Sequence, residues 1–115
     1  MTQAQTKDIG LVELRRGVLV LAVLSQLRQR QYGYSLRQAL VEGGMPVEEG
    51  TLYPLLRRLE AQGLLASEWD TATTPPRRYY RLNAAGGHAL AELAQAWRTQ
   101  VDAIDGFLGG HDERA

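Results

Sequence analysis

The sequence predicts an α+β, mainly helical fold, and three observations carry that expectation. Apolar residues recur at helical spacing in four separate stretches. Between the third and fourth, two short stretches change to a strand-like pattern. Glycines and a capping asparagine punctuate the joins. With 115 residues, 44% hydrophobic and 23% charged, the chain has the size and make-up of one domain able to bury a core.

The first helix is expected over about residues 9–29, through Leu11, Leu14, Val18, Leu21, Ala22 and Leu27. Its Val18–Leu24 segment is apolar all round, so it belongs at the centre of the fold or against a second subunit. Tyr32-Gly33-Tyr34-Ser35 breaks this pattern, and Ser35 or a nearby polar group caps a short second helix over about residues 34–42. Gly43-Gly44 closes that helix. The third helix, about residues 48–62, ends at Gly63 as a C′ glycine. Leu52, Leu55, Leu56 and Leu59 share one of its faces, and Pro54, Arg57, Arg58 and Ala61 share the other. Pro54 lacks an N–H, so the helix either begins near Thr51 or bends there.

Beyond Gly63, Leu64–Trp69 and Arg77–Leu82 alternate as two strands of a hairpin, about residues 64–82, with Asp70–Pro76 as a long tip. Trp69 is expected to anchor the hairpin. Tyr79 and Tyr80 point to opposite sides of their strand, so one packs and the other faces outward. Asn83 then caps a final helix over about residues 83–108. Leu90, Trp97 and Ile104 recur every seven residues on it, with Leu93, Val101 and Leu108 alongside. That apolar stripe is the expected dimerisation surface. Residues 109–115 are expected to fray.

Charge divides the chain. Net charge is zero, with 13 basic and 13 acidic residues. Residues 1–82 nevertheless hold 11 basic against 8 acidic, whereas residues 83–115 hold two against five. Three helices followed by a hairpin is the order of a winged helix-turn-helix, in which the third helix enters the major groove and the hairpin, or wing, meets the phosphate backbone. The arginines fit that geometry. Thr51, Tyr53, Pro54, Arg57 and Arg58 are expected near the groove, Arg77 and Arg78 on phosphates, and Tyr34 completes the expected DNA-binding set.

Other chemistries find little support. No cysteine is present, which removes disulfides, thiolate zinc sites and iron–sulfur clusters. His88 and His111 lack metal-ligand spacing, and Gly33-Tyr34-Ser35-Leu36-Arg37 misses the last glycine of a nucleophile elbow. No catalysis, metal or cofactor is expected. The longest apolar run, Val18–Leu24, is too short to span a bilayer, and the first ten residues lack a signal-peptide pattern, so a cytoplasmic location is expected.

The strings Tyr32-Gly33-Tyr34, Gly50-Thr51-Leu52-Tyr53-Pro54-Leu55-Leu56-Arg57-Arg58-Leu59-Glu60, Gly63-Leu64-Leu65, Trp69 and Pro76-Arg77-Arg78-Tyr79-Tyr80-Arg81-Leu82 resemble the PadR family of transcriptional regulators, over about residues 11–108. Asn83 stands where that family commonly has Thr and keeps the capping chemistry. The resemblance implies a bacterial, homodimeric winged-helix repressor whose last helix crosses to its partner. It also implies binding to double-stranded DNA at a near-palindromic operator, and release by a small aromatic or drug-like effector. The single short last helix matches the smaller family members, in some of which a Trp on this helix lines an aromatic pore. Trp97 is at the matching place, with Leu93 beside it. The alternative from another class is a winged-helix protein-interaction module that does not bind DNA.

Overall fold

Each helical stretch forms a helix in the computed structural model, which describes residues 3–109. The order is α1 (Gln3–Gln26), β1 (Gln31–Tyr32), α2 (Gly33–Glu42), α3 (Glu49–Ala61), β2 (Leu65–Asp70), β3 (Arg77–Leu82) and α4 (Ala84–Phe107). The three strands form one antiparallel sheet in the order β1-β3-β2.

Helix α1 starts six residues earlier than its apolar pattern indicates, because nothing among the polar residues before Ile9 breaks a helix. It also stops sooner, at Gln26. Beyond that point the chain turns so that the Leu27 carbonyl accepts a hydrogen bond from the Leu82 amide, 2.9 Å away, tying the end of α1 to the end of β3. The turn delivers β1, a strand too short to have a sequence signature. Gln31 pairs with Tyr80 and Tyr32 with Tyr79.

The first residue of α2 follows Tyr32, whose side chain makes no capping bond. Ser35 is therefore not the cap. It sits inside the first turn and donates its hydroxyl back to the Tyr32 carbonyl at 3.0 Å. Helices α2 and α3 end alike. Met45 N–H reaches Leu40 and Gly44 N–H reaches Val41; Leu64 N–H reaches Leu59 and Gly63 N–H reaches Glu60. Both are Schellman turns, and Gly63 takes the positive φ of 81° that this motif needs. Pro54 lies inside α3, which begins at Glu49. The hydrogen bond that Pro54 cannot give falls on the exposed side of the helix, where Gly50 and Pro54 both face solvent.

One apolar core joins these elements. Val23, Leu24 and Leu27 of α1 and its end, Leu36 and Leu40 of α2, the four leucines of α3, Leu65 and Tyr80 are all buried. Leu82, Leu64 and Leu90 pack against them from the edge. Leu90 thus serves this chain's own core, although the heptad pattern groups it with the dimerisation stripe. Tyr80 is the inward tyrosine of the wing, and burial pushes its phenol above its usual range, against the opposing pull of Arg78.

Asn83 joins α4 to the rest. Its Oδ1 accepts from Gly86 N at 2.8 Å, capping α4, while its Nδ2 donates to the Gly63 carbonyl at 2.8 Å, at the end of α3. Gly86 is buried, and a Cβ there would collide with the Leu64 carbonyl. Gly87, one residue on, has open space around it. The Gly109 backbone has φ 77°. The expected frayed tail beyond it lies outside the described residues.

These two glycines should respond oppositely to the same change. Gly86→Ala should lower stability by about 1–3 kcal/mol through overpacking, whereas Gly87→Ala should raise it by up to about 1 kcal/mol through helix propensity. Urea unfolding of both variants checks this.

Candidate nucleic-acid interface

With its leucines buried, α3 leaves Pro54, Arg57 and Arg58 exposed on its other face. Beside that face lies the wing. Register fixes which wing residues share a side: Leu65 opposes Leu82, Ser67 opposes Tyr80 and Trp69 opposes Arg78 on one face, while Glu68 opposes Tyr79 and Asp70 opposes Arg77 on the other.

Arg78 faces α3. Its Nη2 is 2.8 Å from Glu60 Oε1 and its Nε donates to Ser67 Oγ at 3.1 Å; Ser67 Oγ in turn donates to Glu60 Oε2 at 2.6 Å. All three side chains are partly buried, which makes this closed, charge-assisted set stronger than an exposed ion pair. It clamps the wing to α3 and engages Nε and Nη2 of Arg78 inside the molecule. Of the two wing arginines expected on phosphate, Arg77 is the exposed one. A side-chain hydrogen bond with Tyr79 first, and then the electrostatic pull of Tyr32, press its guanidinium further toward the charged form.

The remaining expected residues are placed unequally. Tyr34, 59% exposed, stands in the first turn of α2 with its ring stacked 6.3 Å from that of Tyr32. Tyr53 is half-buried, its ring filling the place a Cβ on Gly33 would take. Thr51 is exposed but borders a groove of about 710 Å³ on the other side of α3's start, bounded by Val12, Leu14, Arg15 and Leu19 of α1, Met45–Glu48 and Trp97. Leu93, expected beside Trp97 in an effector site, is half-exposed and does not border this groove. Arg37 holds the α2–α3 loop by donating to the Val47 carbonyl at 2.6 Å.

Trp69 is not the expected anchor. It is 62% exposed, near the wing tip, with the Arg78 guanidinium 5.8 Å from its ring. The core-facing side of a strand continues past the point where α3 stops covering it, so alternation gives the side without the burial. Glu60, Ser67 and Arg30 contribute to the site without having been anticipated. For Glu60, the available signal was its place one turn beyond Arg57 on the edge of α3 nearest β2, opposite in charge to the wing.

Along α1 and α4, Leu14 (66% exposed), Trp97 (46%), Ile104, Phe107 (82%) and Leu108 form apolar surface, with Leu93 and the half-buried Val101 among them. Among the described residues, no helix is long and apolar enough to cross a membrane, and no group of metal-ligating side chains gathers.

Comparison with known proteins agrees with this geometry. Residues 20–92 match the model of the transcriptional regulator PadR-like family. A transcriptional regulator of Mycobacterium tuberculosis is 42% identical over 104 residues, spanning 90% of this chain and 94% of that one. Among solved structures, a PadR family transcriptional regulator from Eggerthella lenta superposes with a TM-score of 0.83 at 47% identity, covering 93% of this chain and 97% of the other. A PadR-like transcription factor from Bacteroides fragilis gives 0.73 at 36% identity, covering 84% and 95%. This chain therefore belongs to the PadR-like family of transcriptional regulators, whose members bind DNA and are not enzymes.

Proposed function

We propose that the chain acts as a homodimeric repressor which binds a near-palindromic operator through two copies of α3 and the wing, and which leaves DNA when a small aromatic or drug-like effector binds. The observation that carries DNA contact is the free face of α3. Pro54, Arg57 and Arg58 are exposed beside Arg77, while Glu60, the carboxylate between helix and wing, is already paired with Arg78. A phosphate approaching this side meets exposed cations, and the charge of Glu60 is already offset by Arg78. Arg57 and Arg58 reach base edges, Arg77 holds backbone phosphate, Tyr34 flanks it from α2, and Arg78 serves by fixing the wing.

Dimerisation rests on the apolar surface of α1 and α4. Exposed Leu14, Trp97, Ile104, Phe107 and Leu108 are more than a soluble monomer ordinarily presents along one elongated side. A second copy covers it in the isologous manner of a two-fold dimer. Half-sites in the operator then lie about one helical turn apart, or a multiple of that.

Effector release is supported by where Trp97 stands. Its indole borders the groove that also touches Glu48 and Thr51 at the start of α3. A planar ligand against that ring has a large flat partner. By bearing on the start of the recognition helix, it favours a dimer with the wrong separation between its two reading heads. Its leverage equals its differential affinity for the two dimer states.

Three variants test this reading by fluorescence anisotropy on operator and scrambled duplex at two salt concentrations. Arg57→Ala should cost about 1–3 kcal/mol on the operator and narrow its preference over scrambled DNA. Arg77→Ala should weaken both duplexes similarly and lower the salt slope by about one unit. Trp97→Ala should bind the operator as a dimer yet ignore the effector; dissociation to monomers at micromolar concentration would assign Trp97 to the interface alone.

A further inference from the structure

Arg30 and Arg77 stand on the outer face of the wing and Arg78 on the face toward α3, and their donors have different fates. Arg78 gives Nη2 to Glu60 and Nε to Ser67. Arg30 lies 3.7 Å from the centroid of the Tyr79 ring, and its Nε donates to Glu68 at 2.9 Å. Arg77 lies 4.4 Å from the centroid of the Tyr32 ring and, among the described residues, makes no ion pair. Asp70, opposite it in the register, turns its Oδ1 to the Ala72 amide.

The two tyrosine rings meet at 5.4 Å between centroids, inclined at 57°. Glu68, Arg30, Tyr79, Tyr32 and Arg77 therefore form one continuous row of contacts across β2, β3 and β1, anchored by a carboxylate at one end and ending on Arg77 at the other. A guanidinium stacked on a ring engages through its π face, while its N–H donors lie in its own plane and point past the ring edge. Arg77 is thus ordered by the Tyr32 ring and by Tyr79, neither of which draws it into an ion pair as Glu60 draws Arg78.

We infer that Tyr32 and Tyr79 are positioning residues for DNA binding: they hold the Arg77 guanidinium in a phosphate-ready orientation, with Arg30 and Glu68 fixing the far end of the row. The inference rests on the proposed phosphate contact of Arg77. An arginine ordered before contact has less side-chain freedom to lose on binding. Strand β1 gains a purpose here, because its pairing with β3 places Tyr32 beside Tyr79.

A double-mutant cycle separates positioning from simple structural support. Operator affinity is measured for the native chain, Tyr32→Leu, Arg77→Ala and the double variant, each checked for native circular dichroism; Tyr79→Leu runs the same cycle if Tyr32→Leu does not fold. Tyr32→Leu should weaken binding when Arg77 is present and do almost nothing when it is absent, a coupling of at least about twofold. It should also move the salt slope toward that of Arg77→Ala, which a merely structural role would leave alone. If Tyr32→Leu costs the same factor in both backgrounds, with the slope unchanged, positioning is overturned while the phosphate contact stands. If Arg77→Ala itself changes neither affinity nor slope, the phosphate contact fails and the inference with it.

Discussion

Burial of one face of α3 is the constraint from which the rest of this structure follows. Leu52, Leu55, Leu56 and Leu59 are all within 4% of complete burial, each contributing about 1.5–3 kcal/mol of transfer free energy. Four such contacts in thirteen residues leave the helix no freedom to rotate, because a turn of a third of a circle would expose leucines and bury Arg57 and Arg58. The chemistry available to DNA is thereby selected by the hydrophobic effect acting on its opposite side. Pro54 is tolerated on the exposed face for the same reason: there the hydrogen bond it cannot make costs least.

Electrostatics then divides the labour among arginines that composition alone treats as equal. Where an acid comes within reach, as Glu60 does for Arg78 and Glu68 for Arg30, the cation becomes a structural tie between elements. Arg77, over the Tyr32 ring and beside Tyr79, is ordered without an ion pair among the described residues. The wing is consequently tied on both faces, to α3 through Arg78 and to β1 through the tyrosines. A flexible hairpin would lose more freedom on meeting a phosphate backbone than one held in this way.

Much of this was legible in the sequence, for identifiable reasons. The leucine period of α3, the glycine at 63 and the asparagine at 83 each act locally, so spacing and residue type reveal them. The free arginine face of α3 follows from the same period. What escaped depends on partners distant in the chain. Arg78 meets Glu60 eighteen residues back, and no local pattern distinguishes it from Arg77. Strand β1 has two residues and exists only because β3 offers it an edge. Trp69 has the side that alternation assigns, yet α3 does not extend over it. Leu90 shares a heptad with Trp97 and Ile104 but lies near enough to the start of α4 to pack on the chain's own core.

The central claim is that two copies of this arginine-bearing face read one DNA site together. Titrating the native chain into fluorescent duplex from the region upstream of its own operon, against scrambled duplex, at two salt concentrations, tests it most directly. The account predicts two chains per site, preference for the upstream duplex, and an affinity that falls linearly in log salt. A folded dimer that binds neither duplex, or binds both equally at every salt concentration, would contradict it.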